Sequence, residues 1–115
     1  MATLDAILVK EMIAGSTTVN TDFVSDVAEI DNREDAFTIQ IVYDGGSSVS
    51  MDFVLQLSTD GVNFSDVKTR AIVDDTGSHI FDVQDTGTRY ARIGVNVTSG
   101  SIDLQRIIYS GRRNH

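Results

Sequence analysis

The chain has 115 residues with no cysteine, proline or tryptophan, and 17 Asp and Glu against 9 Lys and Arg give a formal net charge of −8. That length suits one domain able to bury a core without staples, and a hydrophobic share of 41% is too high for a disordered chain. Disulfides, thiolate nucleophiles and Cys-type zinc sites are excluded, and the acidic balance argues against a nucleic-acid groove, which needs a basic face.

In chain order, the N-terminal segment is ambiguous. Leu4, Ile7, Leu8 and Met12 recur at helical spacing, whereas β-branched Ile7, Val9 and Ile13 suit a strand. A strand is favoured, then a turn at 15–18 and one or two short strands within 19–30. The clearest strand follows over 37–43, with Phe37, Ile39, Ile41 and Tyr43 on one face. A turn at 44–48 leads to a strand that points Met51, Phe53, Leu55 and Leu57 inward. Residues 58–64 read as a hairpin in which Asp60-Gly61 supplies positive φ, with 64–67 as its return strand. Short strands are expected at 69–73, at 79–83 and at 89–97, where Ala91, Ile93, Val95 and Val97 share a face. The last strand covers 102–109, and 110–115 is a flexible, basic tail.

Seven to nine short strands, with no linker and no repeat, predict an all-β fold: one two-sheet antiparallel sandwich of jelly-roll or related type. Proline commonly protects edge strands, so a proline-free sandwich must guard its edges with charge or cover them with a neighbouring subunit.

Chemistry is thinly represented. Only His79 and His115 offer a base; His115 sits in the tail and His79 reads as an edge residue. No nucleophile elbow and no phosphate-binding loop occur. The pairs Asp74-Asp75 and Asp60/Asp66 fall in turn-like sequence, where Asp bonds its own backbone. The acidic turns offer hard oxygen ligands to calcium, but EF-hand spacing is absent and no ligand set is assigned. Arg89, Arg92 and Arg106 are expected in surface ion pairs. Neither a catalytic residue, a cofactor site nor a metal site is assigned. No run approaches ~18 apolar residues, so no membrane-spanning helix is expected. Asp5 and Glu11 near the start, without a basic region, do not read as a secretory signal. Two of three tyrosines, Tyr43 and Tyr109, end expected strands, where a half-buried ring keeps its hydroxyl in water.

The stretch 53–67, with Ser58-Thr59-Asp60-Gly61-Val62-Asn63-Phe64 at its centre, and the stretch Arg89-Tyr90-Ala91-Arg92-Ile93 carry a resemblance. With Thr98-Ser99-Gly100-Ser101 and Ser110-Gly111, they resemble small bacteriophage virion proteins, capsid-decoration or tail-associated, over about residues 36–111. A weaker resemblance is to discoidin-type modules of galactose-binding-like fold. The phage resemblance implies a non-enzymatic virion structural protein, a capsid decoration (cement) protein that binds the major capsid protein or other virion proteins. It would assemble in the bacterial host cytoplasm as a homo-oligomer, with neither nucleic acid nor membrane as partner. The alternative it implies is a tail- or fibre-associated module binding carbohydrate or a cell surface, with ligand groups on the turns at 44–48, 74–77 and 98–101. Interface candidates are Leu4, Ile7, Leu8 and Met12, on a segment that is either an arm or a first strand, and Arg112 and Arg113 in the tail.

Overall fold

The computed structural model describes residues 7–30, 34–45, 48–73, 77–84 and 88–113. Among them are ten strands: β1 (Ile7–Glu11), β2 (Thr17–Val19), β3 (Phe23–Val24), β4 (Ala28–Glu29), β5 (Glu34–Asp44), β6 (Ser50–Ser58), β7 (Ser65–Val73), β8 (Gly77–Gln84), β9 (Tyr90–Ser99) and β10 (Ile102–Arg113). The first sheet runs β1-β10-β5-β8 with β2 also on β10, and the second runs β3-β9-β6-β7 with β4 also on β9. All pairings are antiparallel.

β1 and β2 are two pieces of one rib, as are β3 and β4. Counted so, eight ribs alternate between two four-rib sheets, and only the β6–β7 hairpin stays within one sheet. That is jelly-roll topology, the more specific of the expected sandwich types.

Period-two alternation built the core as the sequence suggests. Phe37, Ile39 and Ile41 of β5 and Ile107 and Tyr109 of β10 face Phe53 and Leu55 of β6 and Ile93 and Val95 of β9, all buried. Each such side chain contributes about 1.5–3 kcal/mol on leaving water. Phe37 stacks on Tyr109 at 5.2 Å between ring centroids, and Tyr43 meets Phe53 edge-on at 5.0 Å.

Several expectations are corrected. The helical spacing of Ile7, Leu8 and Met12 is a coincidence: residues 7–11 ladder onto β10, and the Met12 N–H continues that ladder to the Ile107 carbonyl at 2.7 Å. Residues 64–67 and 69–73 are not separate strands; β7 is continuous, with a bulge where it passes Leu55 and Gln56. The tail begins late, because Ser110–Arg113 continue β10 opposite Thr38, Phe37, Ala36 and Glu34. Tyr109 therefore lies mid-strand and fully buried, and Tyr43 is 4% exposed against Phe53, so neither ring reaches water as expected.

The N-terminal rib breaks into pieces that side chains repair. Between β3 and β4, Ser25 donates its N–H to the Ile93 carbonyl at 2.8 Å. Its hydroxyl accepts the Ile93 N–H at 2.9 Å, standing in for a ladder carbonyl. Asp22 likewise accepts the Val97 N–H at 2.8 Å. Buried backbone groups demand partners, so these short polar residues keep β9 fully bonded along an interrupted neighbour.

The flanks of the sandwich are closed by lysines. Lys10 pairs with Tyr109 in register, so it shares the inner face, and its Nζ donates to the Glu29 carbonyl of β4 at 2.5 Å. On the other flank Lys68, opposite Leu55, donates to the Asp82 carbonyl of β8 at 2.5 Å. Each lysine crosses from one sheet to the other over the end of the core. Inward charge on an edge strand is one way to discourage edge pairing without proline.

Candidate functional site

The described residues of the turns at 44–48, 74–77 and 98–101 gather at one end. The Ser99 hydroxyl donates to the Ser48 carbonyl at 3.3 Å, and Tyr43 lies opposite Gly77 and Asp44 opposite Asp103. None of the residues at 44–48, 74–77 and 98–101 is aromatic, and neighbouring Tyr43 is buried. Those turns themselves therefore offer no stacking platform for a sugar. The half-buried Phe64 and Tyr90 rings lie at the opposite end, where the 58–64 hairpin meets the start of β9. There the Ile30 N–H bonds the Arg89 carbonyl at 2.6 Å and the Arg89 N–H bonds the Ser58 carbonyl at 3.1 Å.

That opposite end carries a polar relay across the outer face of the second sheet, which the sequence did not reveal. The Arg92 guanidinium lies over the half-buried Phe64 ring, 4.0 Å from its centroid. Arg92 Nε donates to Gln56 Oε1 at 2.7 Å, and Gln56 Nε2 donates to Asp66 Oδ1 at 2.7 Å. Three neighbouring strands supply the members, so only strand order could have found them. Tyr90 covers the hairpin, and a Cβ on Gly61 would sit 3.2 Å from its ring.

Of the candidate carboxylates, the described Asp60 and Asp66 serve separate local networks. Asp60 accepts from the Val62 and Asn63 N–H groups, both at 2.8 Å, and from the Asn63 side chain and the Ser58 hydroxyl, both at 2.9 Å. These bonds, the backbone ones first, hold its carboxyl well below the ordinary carboxylate range. Asp60 is thus the organiser of its turn, and Asp66 belongs to the Gln56 relay. Asp74, Asp75, Asp85 and His115 lie outside the described residues. Among the described residues no three His, Asp or Glu side chains gather as a metal site would require.

His79 sits on the inner side of β8, edge-on to Phe81 at 4.6 Å. Burial, then the nearby Arg70 cation, lowers its pKa from 6.5 and favours the neutral ring. Arg70 is opposite Phe53 on β7, so the two residues face each other across the flank that Lys68 bridges. Among the described residues neither pairs with a carboxylate, and a neutral imidazole beside a cation is no catalytic dyad.

The six interface candidates fall into three groups. Leu4 lies outside the described residues. Ile7 and Leu8 lie in β1 opposite Arg112 and Gly111, and Arg113 lies opposite Glu34 in the adjoining ladder. Pairing thus brings Ile7 and Arg112 side by side at one corner of the first sheet. Met12 is 1% exposed and belongs to the core, so it has no surface to offer. Of the arginines, Arg106 forms the expected surface pair with Glu11, whose carboxyl it lowers, whereas Arg92 joins the Phe64 stack instead.

The outer face of the first sheet is a regular four-rib surface. Val9, at 60% exposed, and Ile80, at 54%, stand on it, with half-buried Val42 and Ile108 between their strands. The register rows Glu11–Ile108–Gln40–Ile80 and Val9–Ser110–Thr38–Asp82 place these residues side by side.

No protein-family model matches the chain, and no curated protein matches its sequence. Solved structures do resemble it in fold. A protein derived from the SPBc2 prophage, YomS, superposes with a TM-score of 0.62 at 9% identity, covering 97% of each chain. The VP2 subviral particle of infectious bursal disease virus gives 0.54 at 13% identity, covering 95% of this chain and 33% of that one. The CBM22-1 xylan-binding domain of Xyn10C from Paenibacillus barcinonensis gives 0.52 at 9% identity over the whole of both. The chain is therefore an all-β antiparallel sandwich of a fold also found in phage-derived, viral-particle and carbohydrate-binding proteins.

Proposed function

We propose that this chain is a non-enzymatic bacteriophage virion protein, a capsid decoration protein that binds the capsid surface through protein–protein contacts. The observation that carries this reading is the fold shared end to end, over 97% of both chains, with a prophage-derived protein. A rigid outer face bearing Val9 and Ile80 supports it, since adhesion by surface burial needs exposed apolar area on a preorganised frame. The major capsid protein is the proposed partner. The charge of −8 keeps the free subunit soluble before assembly.

The test is pelleting of the purified chain with empty capsids of the phage or prophage that encodes it. Saturable co-sedimentation at a fixed stoichiometry is expected. A folded chain that stays in the supernatant at every salt concentration defeats the proposal. Deleting residues 2–6 leaves β1 intact and asks whether the segment before it reaches a neighbour; deletion through residue 13 would remove β1 and buried Met12.

A second reading, a tail- or fibre-associated carbohydrate- or cell-surface-binding module, is favoured by the Phe64–Arg92–Gln56–Asp66 arrangement and the fold likeness to a xylan-binding domain. Glycan-array binding lost in Phe64→Ala would support it, and silence across the array would remove it.

A further inference from the structure

The edges of the two sheets are not equally guarded. β1, β3 and β4 are short, and Lys10 binds β1 to β4. β7 has nine residues but is broken by a bulge and carries Lys68 and Arg70 on its inner face. Pairing β7 with a second β7 about a two-fold axis at Thr69 sets Lys68 against Arg70. Moving the axis by one residue sets one of these cations against itself. Like charges directly opposite are destabilising, so β7 rejects its own copy.

β8 carries no such device of its own, although Lys68 of β7 bonds its Asp82 carbonyl. Its eight residues, Gly77–Gln84, contain no Lys, Arg or Pro, and they pair with β5 in one unbroken register. Its outer edge belongs to residues of one parity, because N–H and C=O groups alternate between the two sides of a strand. Lys68 reaches the Asp82 carbonyl from the other sheet, which marks Asp82, and hence Ile80 and Ser78, as residues whose backbone faces outward.

We infer that β8 is a self-association edge, on which a second copy of this chain pairs antiparallel about a two-fold axis through Ile80. In that register Ile80 exchanges both backbone hydrogen bonds with Ile80 of the partner subunit. On the outer face the Ser78 hydroxyl meets the carboxylate of the partner's Asp82. On the inner face His79 meets the partner's Phe81, extending an edge-on contact already present within each chain at 4.6 Å. Within residues 77–83 no like charges oppose one another. The 54% exposed Ile80 side chain gains an apolar neighbour at the axis. The Asp82 carbonyl retains a second lone pair for the partner's Ser78 N–H while Lys68 holds the first. The contact is isologous and closes at two copies, so it ends as a dimer and builds no filament. It supplies the neighbouring chain that a proline-free sheet calls for, and it stands independently of the virion reading.

The chain contains no cysteine, which makes the axis directly testable. Opposite residues in a hydrogen-bonded antiparallel pair have Cα atoms about 5.5 Å apart, within disulfide range. Under mild oxidation, Ile80→Cys crosslinks rapidly to a dimer, whereas Val67→Cys, equally exposed on β7, does not. Sedimentation of the full unmodified chain shows its mass moving from 12.5 kDa toward twice that with rising concentration. Added salt strengthens the dimer by screening the net charge. Ile80→Lys raises the dissociation constant about tenfold or more, by setting two cations on the axis, with thermal unfolding still cooperative. A single-chain mass up to millimolar concentration overturns the inference. So does equal crosslinking at positions 80 and 67, or an Ile80→Lys dimer as tight as the original.

Discussion

Replacing Gly100 with alanine probes the junction of two crossing turns. Gly100 has φ of +82°, and a Cβ there would lie 2.6 Å from the Ser48 carbonyl oxygen and 2.9 Å from the Val49 Cα. Left-handed backbone costs an L-residue roughly 1–2 kcal/mol. Relieving the overlap means moving main chain at the entrance to β6, and forced overpacking costs about 1–3 kcal/mol more. The sum, roughly 2–5 kcal/mol, corresponds to a fall in melting temperature of roughly 10–20 °C for a domain of this size. Gly61 is an internal standard: its φ is +80°, but its Cβ would meet only the Tyr90 ring at 3.2 Å, which can tilt away. Gly15 has nothing within 4 Å of its notional Cβ, so alanine there should be close to neutral. Thermal and urea unfolding of the three variants should rank Gly100→Ala as most damaging, then Gly61→Ala, then Gly15→Ala. A Gly100→Ala protein as stable as Gly15→Ala would show that the contact between turns 45–49 and 99–102 does not constrain the fold as argued.

Ser25→Ala strands the buried Ile93 N–H and should cost about 1–3 kcal/mol, read by urea titration together with faster exchange of the Ile93 amide. Asp60, whose carboxyl is held low by its turn, binds protons less readily folded than unfolded. Its stabilisation is therefore present above about pH 4 and fades as pH falls below it, and Asp60→Asn should flatten that acid limb of the melting curve. His79, also lowered, has the same sign in a higher window. Stability should drop as pH falls through 6.5, because the unfolded chain takes up the proton more readily. His79→Gln should remove that step, and Arg70→Gln, which takes away the facing cation, should shrink it; a profile unchanged by both would refute the assignment.

How much was legible beforehand follows from the range over which each force acts. Alternation along 37–43, 51–57 and 89–97 assigned the inward residues correctly, because a strand's side chains change face at every residue whatever lies next to it. The Asp60-Gly61 hairpin was equally readable, since its hydrogen bonds close within four residues. The weak points were those where a distant strand supplies the partner. Nothing local says that β10 runs on to Arg113 under cover of β1 and β5, which is what buries Tyr109. Nor does the mixed segment at 22–28 announce that Asp22 and Ser25 will bond a strand some seventy residues away. The relay from Phe64 and Arg92 to Asp66 was invisible for the same reason.

The opening arithmetic ends up divided in the same way. Composition by itself determined that there are no thiols and no proline, and with the alternating pattern it determined a β-sandwich whose edges need another defence. Only the tertiary structure decided what that defence is. Lys10 and Lys68 close the two flanks because pairing sets them on inner faces at the margins of the core, where a long side chain can span to the opposite sheet. Among the described edge strands, β8 was left long, regular and free of Lys, Arg and Pro of its own. Which edge stays open depends on strand order, and strand order is set by packing between residues far apart in the chain.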